Sequence, residues 1–386
     1  MKPKLIRTST IAMSLDILLK GQLAFLNDYF QVIAVSGEDY HLKNVAIRER
    51  VSTVSVLMSR TISPIKDLVS LVKLYILFKK EKPLIVHSIT PKAGLLSMVA
   101  AYFARVPIRI HTFTGLIFTN RTGLMKQLLM LMDSLLCKCA TNIYPEGEGV
   151  KRDLIQFKIT NKPLYVLANG NINGIDLEYF NSENNSELEF GKLRTSLGIN
   201  SNDFVFIFVG RIVADKGINE LIAAFSKLSE HKKNVKLLLV GPLEQNSNPI
   251  SKETVLEIHQ NINIISTGYQ DLVRDYFSLA NVLVFPSYRE GFPNVVLQAG
   301  AMGLPSIVSN INGCNEIIIN NYNGIIIPVK NELTIFDAMQ LLLEDESLCR
   351  IMKANARLNV ESRFNQQAVW KAILDEYKII IDNVSK

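Results

Sequence analysis

The fold is decided by the stretch Phe204-Val-Phe-Ile-Phe-Val-Gly-Arg-Ile-Val-Ala-Asp-Lys-Gly217. Its first six residues are all apolar, which is typical of a strand buried on both faces of a parallel sheet. A glycine turns the chain at position 210, and Gly217 opens a segment, residues 218–228, with the apolar spacing of a helix. Strand, loop and helix in this order predict one unit of a doubly wound α/β domain.

The same alternation extends over the whole chain. Further apolar runs typical of buried strands occupy residues 32–35, 84–87, 108–112, 236–240, 262–267 and 282–286. Helical segments such as residues 65–80 lie between these runs. We therefore predict an α/β protein with two Rossmann-like, doubly wound parallel-sheet domains that face a cleft.

The length agrees with two domains, because 386 residues exceed one ordinary hydrophobic core. The Asn- and Gly-rich segment 167–176 is the predicted boundary, and the polar stretch that follows, residues 181–189, has the composition of a loop. The expected domains are residues 1–168 and residues 169–364. The tail, residues 365–386, has the spacing of one helix that we expect to pack back on the first domain.

The composition indicates in which cellular compartment the protein is expected. The mean hydropathy is +0.18, yet the longest weakly charged run, residues 93–104, is shorter than the roughly twenty residues that span a membrane. The N-terminus lacks the apolar core of a signal peptide, and the four cysteines have neither disulfide nor zinc spacing. We expect a cytoplasmic protein with reduced cysteines.

Charge is distributed unevenly along the sequence. Residues 1–165 contain 23 Lys+Arg and 11 Asp+Glu, and the rest contains 19 and 25, so the parts carry +12 and −6. Nucleic acid, anionic lipid and a pyrophosphate-bearing substrate would each suit the basic part, and a solvated surface is the alternative without a ligand. Because basic residues are not interleaved with aromatic ones, we expect no nucleic-acid partner.

Two segments have the composition of a phosphate and sugar site. Arg211 and Lys216 follow a strand and precede a helix, where two cations beside free backbone amides suit a diphosphate. The second segment, Phe285-Pro-Ser-Tyr-Arg-Glu-Gly-Phe-Pro-Asn-Val-Val-Leu-Gln298, again joins a strand to a helix that starts near Pro293. Glu290 lies just before this helix, where its carboxylate can accept hydrogen bonds from sugar hydroxyls or simply cap the helix.

These segments resemble family 4 of the retaining glycosyltransferases, which have the GT-B fold. The matching elements are Gly-Arg-x4-Lys-Gly at residues 210–217 and Glu-Gly-Phe-Pro-Asn at residues 290–294. Residues 63–67 and 87–94 are similar to bacterial capsule and O-antigen enzymes of this family, some of which transfer N-acetylfucosamine or related amino sugars. The resemblance implies retaining transfer of such a sugar from a nucleotide-sugar, most readily a UDP-sugar, without a metal or another cofactor.

The resemblance also implies roles for residues. Arg211 and Lys216 would neutralise the donor diphosphate, Glu290 would hold the donor sugar, and His111 would stabilise positive charge on that sugar. The family's ribose-binding glutamate is replaced here by Gln298, whose amide can still hydrogen-bond a diol. The implied donor site comprises Gly210, Arg211, Lys216, Tyr269, Glu290, Gly291, Phe292, Pro293, Asn294, Val295 and Gln298. His87 is expected to support the site, and Lys92 is a candidate for an acceptor phosphate.

The resemblance implies that residues 1–168 bind the acceptor and that residues 169–364 bind the nucleotide-sugar. The implied acceptor is a saccharide linked to polyprenyl diphosphate at the inner face of the membrane. The apolar helical segment 124–139 is then either a core helix or a helix that rests on an anionic bilayer. A GT-B sugar-nucleotide epimerase and a non-enzymatic binder of nucleic acid are the alternative interpretations. A dinucleotide oxidoreductase is disfavoured, because residues 8–18 contain no glycine for its phosphate-binding turn.

Overall fold

The computed structural model describes residues 2–181, 187–246 and 248–385. The chain forms two compact units, Met1–Gly174 with Gln366–Lys386 and Ile175–Asn365. Each unit is built on a parallel six-stranded sheet with helices on both faces. The predicted α/β class with two doubly wound parallel sheets is therefore confirmed.

The first unit contains six strands and eight helices within the described residues. The strands are β1 (Lys4–Thr8), β2 (Gln31–Ser36), β3 (Ser52–Ser55), β4 (Ile85–Ile89), β5 (Ile108–Phe113) and β6 (Asn142–Pro145). The helices are α1 (Ala12–Leu18), α2 (Gln22–Asn27), α3 (Tyr40–Glu49), α4 (Pro64–Glu81), α5 (Pro91–Phe103), α6 (Gly123–Cys139), α7 (Glu148–Gln156) and the C-terminal α16 (Gln366–Ser385).

The second unit has the same alternation. Its strands are β7 (Phe204–Val209), β8 (Val235–Val240), β9 (Ile264–Ser266), β10 (Val282–Phe285), β11 (Ser306–Ser309) and β12 (Gly324–Ile327). Its helices are α8 (Glu187–Ser196), α9 (Ile218–His231), α10 (Lys252–Gln260), α11 (Val273–Ser278), α12 (Asn294–Ala301), α13 (Cys314–Ile317), α14 (Glu332–Glu344) and α15 (Glu346–Phe364).

The strand order places a switch point in each sheet. The orders are β3-β2-β1-β4-β5-β6 and β12-β11-β10-β7-β8-β9. Successive strands proceed in one direction from β1 and β7, and in the other direction from β4 and β10. In open α/β sheets, ligands bind beyond the carboxyl ends of the strands at such a point.

Apolar side chains cover both faces of the first sheet. One core packs under α4, α5 and α6, with Leu74, Phe78 and Leu136 as fully buried members. The other core packs under α1, α2, α3 and α16. The second unit has one continuous core that surrounds β7, which is uniformly apolar, and β8, whose one polar residue is Lys236. Strands buried in this way explain the continuous apolar runs of the sequence.

Helix α16 is fixed to the first sheet by buried polar contacts. The Tyr377 hydroxyl accepts a hydrogen bond from the Arg7 guanidinium at 2.7 Å and lies 2.5 Å from Nδ1 of His87. Arg7 is 1% exposed, so its charge depends on these internal partners. The helix therefore belongs to the first unit even though it ends the chain.

Several features could only be located with the structure. The polar stretch 181–189, expected to be a loop, ends inside α8, while residues 182–186 lie outside the described residues. Residues 169–174 belong to the first unit, where Gln22 donates hydrogen bonds to the Ile172 carbonyl and to Asn173.

The first unit contains 26 Lys+Arg and 14 Asp+Glu, and the second contains 16 and 22, so the two units carry net charges of +12 and −6. No helix among the described residues is long and apolar enough to cross a membrane.

Candidate active site

The candidate site lies at the switch point of the second sheet. The loop after β7 and the loop after β10 start from neighbouring strands, which pair in register with Val282 opposite Phe206. Both loops leave the carboxyl ends of their strands and lead into helices, α9 and α12. The segments that the sequence indicated separately are therefore adjacent in the fold.

Glycines allow these loops to approach each other closely. Gly217 has a φ of 72°, and a Cβ at this position would overlap with the carbonyl oxygen of Pro286 in the loop after β10. Gly241, with a φ of 149°, is packed in the same way against the Gly210 carbonyl. A side chain at either position would separate the strand ends, because left-handed backbone and close approach both favour glycine here.

Lys216 and Glu290 form the centre of the site. The Lys216 ammonium donates a hydrogen bond to Oε1 of Glu290, and the Ser287 hydroxyl donates to the same oxygen at 2.9 Å. The Lys216 and Glu290 side chains are 17% and 18% exposed, so both can be reached from solvent. Within the described part of the chain, Oε2 of Glu290 has no hydrogen-bond partner and can accept from a ligand hydroxyl.

Arg211 lies on the other side of the loop after β7. Its guanidinium donates to Oε2 of Glu244 at 2.9 Å, and its side chain is 49% exposed. Glu244 follows β8, the neighbour of β7 in the sheet. A guanidinium has five N–H donors, so this contact leaves Arg211 able to bind a phosphate.

A second ion pair orders the outer part of the same loops. Arg289 donates to Oδ2 of Asp215 at 3.0 Å, and the backbone N–H of Tyr288 donates to the Asp215 carbonyl at 2.9 Å. The Tyr288 hydroxyl donates to Glu220 at 2.5 Å. Burial, followed by the bond to Glu220, raises the pKa of Tyr288 above its usual value, so the phenol is neutral near pH 7.

Helix α12 presents its N-terminus to the site. Pro293 is its N-cap residue and provides no side-chain cap, and the helix dipole gives this end a partial positive charge that suits an anion. Asn294 and Gln298 are half-buried and one turn apart, and therefore lie on the same face of the helix. The Phe292 side chain is 6% exposed and packs 5.6 Å from the Phe364 ring, so only its backbone can contact a ligand.

Tyr269 stands at the carboxyl end of β9. Its side chain is 64% exposed in the turn that follows the strand. A hydrogen bond with Asp271, with a smaller contribution from burial, raises the pKa of its phenol. The ring remains neutral near pH 7 and accessible at the same edge of the sheet as Arg211.

His111, which the sequence predicted to be catalytic, lies enclosed in the interior of the first unit. Its side chain is 1% exposed, Nδ1 lies 2.8 Å from the Ser88 hydroxyl, and the ring packs 4.5 Å from Phe113. Gly94 of α5 lies directly over the imidazole, since a Cβ there would overlap with it. Burial lowers the pKa of His111 to about 3, so the ring is neutral near pH 7. A side chain enclosed under α5 cannot contact a donor sugar.

Lys92 also differs from its expected role. Its side chain is 11% exposed, and its ammonium donates to both carboxylate oxygens of Asp67 at 2.7 and 2.9 Å. The pair joins the first turn of α5 to the first turn of α4, so the lysine is not available for an acceptor phosphate. His87 is a supporting residue, since its ring contacts Arg7, Tyr377 and Thr112.

Sequence reasoning missed three residues that complete the site: Ser287, Glu244 and Asp215. Ser287 and Asp215 lie inside the two quoted segments, but their partners depend on the pairing of β7 with β10. For Glu244, the only signal in the sequence is its position shortly after the apolar run of β8. Its contact with Arg211 requires the adjacency of β7 and β8.

Two family models match the chain. Residues 14–145 match the model described as glycosyl transferase 4-like, and residues 189–359 match glycosyl transferases group 1. CapM, a capsular polysaccharide biosynthesis glycosyltransferase of Staphylococcus aureus, is 35% identical over 98% of this chain and 97% of its own length. The Escherichia coli UDP-Gal:alpha-D-GlcNAc-diphosphoundecaprenol alpha-1,3-galactosyltransferase is 31% identical, over 80% and 78%.

Solved structures share the fold. A glycosyltransferase from Rickettsia africae superimposes with a TM-score of 0.82 at 19% identity and covers 99% of both chains. HepE from Anabaena, solved in complex with UDP, gives a TM-score of 0.82 at 17% identity, over 98% of this chain and 100% of its own. These similarities confirm the predicted GT-B fold.

Proposed function

Because this chain belongs to the group 1 glycosyl transferases, we propose that it is a retaining enzyme of surface-polysaccharide synthesis. It moves a sugar from a UDP-sugar to a saccharide carried on polyprenyl diphosphate, with no metal ion. The proposed sugar is an N-acetylated amino sugar such as N-acetylfucosamine. The observation that carries the proposal is the contact of Lys216 and Ser287 with Glu290 at the switch point of the second sheet.

The cations and amides of this edge suit a donor diphosphate. Lys216 has two further N–H donors beyond its bond to Glu290, and the half-exposed Arg211 extends from the same loop. Together with the N-terminus of α12, they can stabilise the negative charge that develops as the glycosidic bond breaks. Charge stabilisation of this kind is the task that a divalent cation performs in metal-dependent transferases.

Glu290 is the proposed ligand of the donor sugar. Its Oε1 is oriented by Lys216 and Ser287, which leaves Oε2 for a sugar hydroxyl. An oriented carboxylate can hold the sugar so that the acceptor hydroxyl approaches the face from which the diphosphate leaves. The departing phosphate oxygen then accepts the acceptor proton, and the configuration at the anomeric carbon is retained. His111 has no part in this step, because it is enclosed under α5.

The nucleotide is assigned to UDP on two grounds. The E. coli relative is named for a UDP-sugar, and HepE was solved with UDP. Gln298 lies one turn after Asn294 on α12 and can hydrogen-bond a ribose diol through its amide. Tyr269, 64% exposed at the same sheet edge, offers a ring on which a base can stack.

Relatives and charge support the proposed acceptor and location. The E. coli relative and a Campylobacter jejuni relative, 25% identical over 78% of this chain, are both named for diphosphoundecaprenol acceptors. The first unit, which we assign to the acceptor, carries +12. A basic unit suits a diphosphate linked to a lipid, and we propose that the enzyme is peripheral on the inner face of the membrane.

The donor site is tested by nucleotide binding to the full chain. Thermal shifts with UDP, GDP, ADP, CMP, NAD and an oligonucleotide should show stabilisation by UDP. Lys216→Met should weaken UDP binding by about 10- to 100-fold, the range for a hydrogen bond to a charged group. Lys227→Met is the matched control, because Lys227 also contacts a glutamate, Glu332, but on the surface of α9. Stabilisation by the oligonucleotide alone would refute the proposal.

The reaction is tested with UDP-sugars and a polyprenyl-diphosphate saccharide in the presence of EDTA. NMR of the product should show the anomeric configuration of the donor. A requirement for a divalent cation would refute metal independence, and an inverted product would refute retention. Conversion of the UDP-sugar to an isomer without acceptor would instead identify an epimerase.

A further inference from the structure

Helix α4 has two apolar faces, of which only one is covered by protein. Ser70, Leu74 and Phe78 are buried against the first unit. Six large apolar side chains on the helix are between 37% and 81% exposed, and they are Ile65, Leu68, Val69, Val72, Tyr75 and Ile76. We call these six residues the α4 stripe.

The α4 stripe is continuous along the helix. Its members recur at spacings of three and four residues, which places them on one side of the helix. Helix α4 has 18 residues and is therefore about 27 Å long. Exposed apolar surface on this scale is typical of an interaction site in a folded protein.

The stripe is bordered by lysines. Lys66, Lys73 and Lys80 follow each other at seven-residue spacing along one edge, and Lys79 stands at its C-terminal end. None of these four lysines forms an ion pair with any other described residue. The two acids of the helix are already paired, Asp67 with Lys92 at 2.7 Å and Glu81 with Lys4 at 2.8 Å.

Neighbouring helices extend the apolar surface. Helix α5 packs between α4 and α6 on the same side of the sheet, and its last turn exposes Tyr102 and Phe103 by 52% and 65%. A groove of about 330 Å³ separates α4 from α5 and is lined by Leu71, Val72, Tyr75, Ala100 and Phe103. On α6, exposed side chains form a second stripe, Leu124, Leu128, Leu131 and Leu135.

We propose that the α4 stripe is the surface by which the protein binds an anionic lipid bilayer. In this arrangement α4 lies in the membrane plane, with its apolar residues among the acyl chains and Lys66, Lys73, Lys79 and Lys80 at the headgroups. A second copy of the chain fits less well, because a symmetric contact would bring these unpaired lysines together. The inference rests on the proposed function in one respect, namely that the enzyme works at a membrane. It does not depend on the donor site, because α4 lies outside that site.

The inference goes beyond the apolar segment that the sequence indicated. Apolar composition singled out the helix that became α6, whereas α4 combines six exposed large apolar side chains with four lysines that form no ion pair among the described residues. Helix α6 has one of its lysines, Lys126, over the Phe157 ring at 4.5 Å. Lipid binding therefore depends more on α4 than on α6.

The experiment is flotation of the full chain with vesicles of phosphatidylcholine alone or with 30% phosphatidylglycerol. Three variants are compared: Val72→Glu/Ile76→Glu, Lys73→Glu/Lys80→Glu and the control Ile47→Glu/Lys43→Glu. The control changes exposed residues of α3, on the opposite face of the first sheet, where Ile47 is 78% exposed. Circular dichroism and UDP affinity verify that each variant is folded.

We expect the wild type to float only with anionic vesicles, and less as salt increases. The Lys73→Glu/Lys80→Glu variant should bind at least about 25-fold more weakly, from about fivefold for each lysine. The Val72→Glu/Ile76→Glu variant should not bind, and the control should match the wild type. The proposal would be overturned if the control lost as much vesicle binding as the α4 variants, or if the wild type did not bind anionic vesicles at low salt. A dimer that only the α4 variants dissociate, without vesicle binding, would also overturn it. UDP affinity retained in every variant would leave the proposed transferase intact.

Discussion

Replacement of His111 by alanine should destabilise the first unit and leave the chemistry in place. The imidazole is 1% exposed, bonded to Ser88 at 2.8 Å and packed against Phe113. Truncation of a buried ring costs about 3–5 kcal/mol, and a smaller ring than phenylalanine that also loses one hydrogen bond should cost about 3–4 kcal/mol. For a unit of this size, the melting temperature should fall by roughly 6–16 °C.

The pH dependence of this loss follows from the buried neutral ring. Burial lowers the pKa of His111 to about 3, whereas an unfolded histidine titrates near 6.5. The unfolded state therefore binds more protons below pH 6.5, and the stability due to the neutral ring falls as the pH decreases. At pH 5 the wild type should have lost about 2 kcal/mol through this residue. The alanine variant lacks this titration. The difference in free energy of unfolding between the two proteins should therefore be about 2 kcal/mol smaller at pH 5 than at pH 7.5.

The assay is denaturant unfolding of both proteins at pH 7.5 and pH 5, together with initial transfer rates at 10 °C. Rates are divided by the folded fraction, so that loss of stability is not mistaken for loss of catalysis. We expect kcat within about threefold of the wild type, since the ring lies under Gly94 and away from solvent. An unchanged melting temperature with a hundredfold loss of kcat would refute the structural role and restore the catalytic one.

Three further substitutions, the first with Gly198→Ala as its control, test the packing. Gly217→Ala should cost about 1–2 kcal/mol of stability for its left-handed backbone, and more because the new Cβ overlaps with the Pro286 carbonyl. Gly198→Ala also has a left-handed backbone but open space around it, so it should cost only the 1–2 kcal/mol for the backbone. Denaturant unfolding of the two variants separates these effects. Lys162→Met removes hydrogen bonds to the carbonyls at the C-terminus of α6, and calorimetry should show a loss of about 1–2 kcal/mol; an unchanged enthalpy and midpoint would contradict this. Tyr377→Phe removes the hydroxyl that accepts from the buried Arg7 guanidinium and leaves the His87 ring as its remaining contact. Hydrogen exchange of α16 should therefore accelerate by about 5- to 100-fold, and unchanged exchange would count against the anchoring role.

The sequence alone determined the fold and the position of the candidate site. Uninterrupted apolar runs such as Phe204–Val209 require burial on both faces, and only a parallel sheet covered by helices provides it. Arg211, Lys216 and Glu290 each follow such a run. In a parallel sheet the carboxyl ends of the strands share one edge, so these residues could be assigned to a common edge before their contacts were known.

Tertiary structure decided which way individual side chains point and which partners they meet. His111 and Thr112 are consecutive residues of β5 and therefore point to opposite faces of the sheet, so that His111 is enclosed under α5. Lys92 is paired with Asp67, and Arg211 with Glu244, because helices and strands distant in sequence pack side by side. Such contacts depend on strand order and helix packing, which local periodicity does not encode.

The two faces of α4 show the same division. The apolar residues of α4 lie on several sides of the helix. The sequence pattern therefore predicts a helix but does not indicate which of its faces is buried. Packing against the first sheet covers Leu74 and Phe78 and leaves Val72 and Ile76 exposed. The sequence by itself determined that α4 is a helix with apolar residues on several sides. Only the tertiary structure, by covering one face with protein, decided which face remains for a bilayer.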